Sequence, residues 1–73
     1  MEFTAVYQKR GRWVIGYIEE IPGANTQGRT LKEARENLKE ALRMVIEANR
    51  ELAAKKENEQ EGHIIREPFV LEV

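Results

Sequence analysis

The stretch from Thr30 to Lys56 constrains this chain most, because it holds a single helical period longer than any other in the sequence. Leu31, Ala34, Leu38, Ala41, Val45, Ala48 and Leu52 recur at alternating spacings of three and four, which lines them along one stripe of an α-helix. Thr30 followed by Glu33 has the form of a capping box, in which the hydroxyl accepts from the Glu33 amide and the carboxylate reaches back to the Thr30 amide. Such a helix is marginal in water unless its apolar face is covered. Its first half is read as ordinary core. The whole helix would be about 40 Å long, whereas a seven-residue strand spans roughly 24 Å, so it should overhang any sheet the remaining chain can build. Val45, Ile46, Ala48, Asn49 and Leu52 are therefore the expected oligomer contact, with Met44 able to adapt to it, and a two-fold dimer is the commonest way to cover them.

Seventy-three residues make one small domain, 1–73, with a correspondingly small core. Cysteine is absent, so neither a disulfide nor a thiolate metal site can add stability, and oligomerisation is the available remedy. The first residues form no signal peptide and no segment is apolar enough to span a membrane, so a cytoplasmic location is the expectation. A net charge of −1 gives no global argument for nucleic-acid or membrane binding. Every acid is Glu and a third of the residues are charged, a bias that resembles thermophile surfaces.

Glu2 to Gln8 alternates as a strand, and Lys9-Arg10-Gly11-Arg12 reads as a hairpin turn. The second strand, Trp13 to Glu19, is apolar on both sides: Trp13, Ile15 and Tyr17 on one, Val14, Gly16 and Ile18 on the other. The helix can cover one side only. If Phe3, Tyr7, Trp13 and Tyr17 shared a face they would form a patch large enough for an interface, so Trp13 and Tyr17 join the candidate oligomer contact. Pro22-Gly23 breaks the strand, Ala24 to Gln27 is a short third strand, and Gly62 is a stop for the helix. A last strand is expected around Ile64 to Val73, with Pro68 placing it at an edge or break. The expected architecture is α+β: two layers, β-β-β-α-β, with one long helix on an antiparallel sheet.

From Ile21 the chain runs Pro22-Gly23-Ala24-Asn25-Thr26-Gln27-Gly28-Arg29-Thr30-Leu31-Lys32-Glu33-Ala34, with Asn37 and Ala41 following. This segment, after a hairpin opening on Phe3-Thr4-Ala5-Val6, resembles the HicB-like antitoxin family. Over roughly Met1 to Glu47, Pro22 and Gly23 match the family's turn, Thr26 and Gly28 its short strand and bend, Thr30 and Glu33 its helix cap, and Ala34, Asn37 and Ala41 its helix face. Ala24 stands where a cysteine is common, and the sequence holds no appended DNA-binding module. The resemblance implies an oligomeric β-β-β-α-β domain that binds and occludes a HicA-type toxin, a small basic mRNA-cleaving ribonuclease. Glu19 and Glu20 are the local acids suited to such a basic partner.

Other chemistries find little support. His63 is the only histidine and lacks Ser, Cys or Asp partners, so catalytic, metal and cofactor sites are all expected to be absent. A two-metal nuclease needs clustered carboxylates, whereas Glu2, Glu19, Glu20 and Glu72 fall at strand ends. Lys9, Arg10 and Arg12 beside Tyr7 and Trp13 could contact single-stranded nucleic acid, but a solvated turn next to a core aromatic is the preferred reading. The expectation is a non-enzymatic antitoxin domain that neutralises its toxin by steric masking. The alternative is an orphan oligomeric structural or adaptor domain with no toxin partner.

Overall fold

A computed structural model describes residues 2–59 and 62–70. Three strands, β1 (Ala5–Arg10), β2 (Trp13–Ile18) and β3 (Asn25–Gly28), precede one helix, α1 (Leu31–Glu59), in an α+β arrangement. The sheet is antiparallel with order β1-β2-β3.

The hairpin is tighter than its composition suggests. Lys9 and Arg10 belong to β1 and pair with Val14 and Trp13, leaving Gly11-Arg12 as a two-residue turn. Gly11 has φ of +57°, so glycine takes the first central position, where the backbone twist suits a hairpin. The second turn follows the sequence reading. The Ala24 amide donates to the Ile21 carbonyl at 3.2 Å across Pro22 and Gly23, and Gly23 at φ +91° supplies the positive angle of a type II turn.

Register decides which face each side chain joins. Tyr7 lies opposite Gly16 and Ala5 opposite Ile18, on the side covered by α1. Val6 lies opposite Tyr17 and Arg10 opposite Trp13, on the other side. The expected face shared by Tyr7, Trp13 and Tyr17 therefore does not form. Directly paired residues point the same way, and the turn at Gly11-Arg12 pairs odd positions of β1 with even positions of β2. Gly16 accommodates the Tyr7 ring: an added Cβ would lie 3.0 Å from two ring carbons.

Val14, Ile18, Ala24, Ala34 and Leu38 are buried, with Tyr7, Ile21, Leu42 and Val45 packed around them. The helix begins at Thr30, whose hydroxyl accepts from the Glu33 amide at 3.1 Å and whose carbonyl accepts from the Ala34 amide at 2.9 Å. The Asn37 side chain donates to the Gln27 carbonyl at 3.0 Å, tying α1 to β3. A Cβ on Gly28 would lie 2.7 Å from the Ala34 nitrogen, so the helix can settle on the sheet only where residue 28 has no side chain. Ala24, where the resembled family often has cysteine, is 1% exposed, and a small side chain suffices there.

The last expected strand is not formed among the described residues. Residues 62–70 adopt no regular element, and 71–73 lie outside the described range. A strand needs a backbone partner, and α1 carries the chain well past the sheet before releasing it. Arg66 then pairs with Glu57 on the helix end instead of approaching β1. The Cα radius of gyration is 16.2 Å, against about 11 Å for a compact chain of this length.

Two glycine substitutions separate the contacts. Gly28→Ala should destabilise the fold by about 2–3 kcal/mol because rigid backbone opposes the new methyl, and Gly16→Ala by about 1 kcal/mol because the Tyr7 ring can shift. Urea midpoints measured at one fixed protein concentration check the ranking.

Candidate interaction surface

Three surfaces remain uncovered. The first is the sheet face opposite α1. The β2 residues Trp13, Ile15 and Tyr17 run along its centre, Val6, Gln8 and Arg10 flank them on β1, and Asn25 and Gln27 on β3. Trp13 and Tyr17 are 41% and 42% exposed, a large fraction for aromatic side chains in the central strand of a sheet. The Arg29 guanidinium sits 5.7 Å from the Trp13 ring centroid, a cation–π distance, and Arg12, Trp13 and Arg29 frame a depression of about 190 Å³. Sequence reasoning missed Arg29, which lies far from Trp13 in the chain. The available signal was register: Gly28 pairs with Val14, so the residue after β3 emerges beside Trp13.

The second surface is the far half of α1. Val45 packs against the hydrophobic core, and Ile46 is half-buried beside Leu42, Lys39, Arg43, Glu47 and Arg50. Ala48 and Asn49 are exposed, and Leu52 is 66% exposed. The overhang expected from length is thus present, beginning just beyond Val45. Arg43 and Glu40 form a solvent-facing pair at 3.2 Å, a geometry that contributes little.

The two candidate acids differ. The Glu20 carboxylate accepts from both the Thr4 amide and the Thr4 hydroxyl, each at 2.7 Å, and so fastens the start of the chain to the β2–β3 turn. Glu19 joins through its backbone, its amide donating to the Thr4 carbonyl at 2.9 Å, and its exposed carboxylate makes no hydrogen bond among the described residues. His63 is exposed in the segment after the helix, and no cluster of three His or Glu side chains able to hold a metal occurs among the described residues. No helix among them is long and apolar enough to cross a membrane.

A third feature was invisible in the sequence. Because α1 lies over β3 and β2, the near side of β1 is left open as a groove of about 300 Å³. Ala5, Tyr7, Ile18, Leu38 and Leu42 line it, with Arg35 and Lys39 on its rim.

These features define a class of small α+β protein in which one long helix is seated by its first turns on a three-stranded sheet and apolar surface remains on both layers. The chain belongs to the UPF0150 family. It is 40% identical over 62 residues to a UPF0150 protein of Thermoplasma acidophilum, a match covering 82% of this chain and 81% of that relative. It is also 40% identical over 47 residues to one of Thermotoga maritima and 43% identical over 49 residues to one of Synechocystis, matches spanning 63% and 65% of those proteins. The chain thus matches a little under two thirds of the length of these last two relatives. No family model and no solved structure matches it.

The bonds from Thr4 hold the Glu20 pKa below its ordinary value of 4.5, with the backbone amide contributing most. With the folded pKa below the unfolded one, this group stabilises the fold above the unfolded pKa, and the contribution is lost as pH falls through the folded value. A carboxyl titration followed by NMR should place Glu20 below the ordinary glutamate value, and Thr4→Val should move it back toward that value.

Proposed function

We propose that this chain is a HicB-like antitoxin domain that works as a homodimer or higher oligomer, binding a small basic HicA-type mRNA-cleaving toxin and masking it sterically, with no catalysis of its own. The observation that supports a binding role is surplus surface. The chain exposes 6796 Å² at 8.5 kDa, against roughly 4,700 Å² for a compact monomer of that mass. The difference of about 2,100 Å² is more than twice the area that one partner contributes to a standard interface. Its exposed large apolar side chains include Trp13 and Tyr17 on the open sheet face, Leu52 beyond Val45 on α1, and Ile65, Phe69 and Val70 after the helix.

Membership in the UPF0150 family and the signature from Pro22 to Asn37 support the antitoxin reading. Three of the signature residues are occupied in holding the fold together, since Gly28 admits the helix, Thr30 caps it and Asn37 ties it to β3. The exposed surfaces outside this signature are then available to partners. Glu19, just past the end of the central strand β2, is the acid suited to a basic toxin. A second reading, an orphan oligomeric structural or adaptor domain, draws on the same surplus surface, which self-association could cover alone.

Co-expression with a HicA-type toxin encoded beside this chain should restore growth and give a co-purifying complex. Growth arrest that persists unchanged would sink the antitoxin reading and leave the adaptor. Size-exclusion with light scattering should show an oligomer for the native chain and a smaller species for Leu52→Lys, since a buried lysine on the overhang opposes association. Two identical monomers would remove self-association.

A further inference from the structure

We propose that the open face of the sheet binds single-stranded RNA, with bases stacked on Trp13 and Tyr17 and phosphates held by Arg10, Arg12 and Arg29. The inference goes beyond toxin masking and stands without it.

Strand register sorts this face into three rows that cross the sheet. Arg10 pairs with Trp13, and continuing the β2–β3 register past Val14 and Gly28 brings Arg29 to the other side of the ring. The tryptophan of the central strand is thus flanked by an arginine on each side, with the Arg29 guanidinium 5.7 Å from its centroid and Arg12 completing the depression. In the next row Ile15 lies between Gln8 and Gln27, and in the third Tyr17 lies between Val6 and Asn25. Rows on one face repeat about every 7 Å, so the two aromatic positions stand about 13 Å apart with a pair of amide side chains at the level between them. The preferred sequence reading of this hairpin, a solvated turn beside a core aromatic, fails at Trp13, which lies outside the core on the open face.

Each row answers a different part of a nucleotide. Aromatic rings left in solvent stack on bases of any sequence. Guanidinium groups grip phosphate as a two-pronged fork and also stack on base planes. The amides of Gln8 and Gln27, both exposed, each carry a donor and an acceptor, which suits base edges and the 2′-hydroxyl, the group that tells RNA from DNA. A single strand is required, because paired and stacked bases hide the faces that the rings would meet.

Charge selects this occupant over a basic or a purely apolar one. No carboxylate belongs to the three rows, and among the described residues none pairs with Arg10, Arg12 or Arg29. Glu19 and Glu20 lie past the opposite end of β2, about 20 Å along the strand from Trp13, and Thr4 engages the second of them. The net charge of −1 therefore conceals a positive field confined to the hairpin end of the face.

Trp13 is the only tryptophan, so its own fluorescence reports stacking. Titrating the full chain with an unstructured twelve-nucleotide uridine RNA at about 20 mM salt should quench Trp13, and log affinity should fall against log salt with a slope of about −2, as for three phosphate contacts. Arg10→Gln/Arg29→Gln should weaken binding and bring the slope to about −0.7. Tyr17→Thr, which keeps a strand-forming residue, should weaken binding roughly tenfold with the slope unchanged. Lys55→Gln/Lys56→Gln removes equal charge from the end of α1 and should alter neither quantity. Absence of quenching overturns the proposal, as do equal losses in the arginine and lysine pairs. Equal affinity for the deoxyuridine strand overturns RNA as the occupant. Light scattering without RNA adds one more outcome: a lower mass for Tyr17→Thr than for the native chain makes this face a contact between copies and overturns RNA binding there. Both arginines are exposed, so their pair decides the matter even where Tyr17→Thr fails to fold.

Discussion

Where Gly28 meets the first turn of α1, backbone touches backbone, and no side chain could stand between β3 and the Ala34 amide. That approach fixes the height of the helix over the sheet. Ala34 is wholly buried as a result, Leu38 reaches the core with Ile18 and Ala24, and Asn37 comes within reach of the Gln27 carbonyl. Thr30 caps the helix at the same point, so one short stretch satisfies the helix N-terminus and sets its position together.

Seating the helix there has a cost in coverage. A helix anchored over β3 and β2 cannot also shield the far edge of β1, and one running from Leu31 to Glu59 is far longer than strands of four to six residues. The near side of β1 and the second half of α1 are left open by geometry. The opposite sheet face has no layer above it among the described residues, which hold a single helix. With few side chains fully buried, the packing within the chain is slight for its length.

Much of the fold was legible locally. The three-four spacing from Leu31 to Leu52 marked the helix, Thr30 its start, and Pro22-Gly23 the turn, because each depends on residues adjacent in the chain. The overhang was legible too, since rise per residue converts length into distance. Less accessible were the relations between segments. Tyr7 departed from the Trp13-Tyr17 face through the register of one hairpin, and Arg29 met Trp13 through strand pairing across the sheet. The Thr4 bonds to Glu20 arose because the β2–β3 turn brings its acid back to the start of β1.

Sequence order alone determined the element types, the capped helix and its excess length, because propensity, capping and helical rise act within a few residues. Only the tertiary structure decided which face the helix covers, which of the Glu19 and Glu20 carboxylates Thr4 engages, and that residues 62–70 form no strand. Those outcomes turn on register and reach. The apolar alternation of Phe69, Leu71 and Val73 favours a strand, but a strand requires a neighbouring backbone, and α1 delivers residues 62–70 beyond the edge of their own sheet.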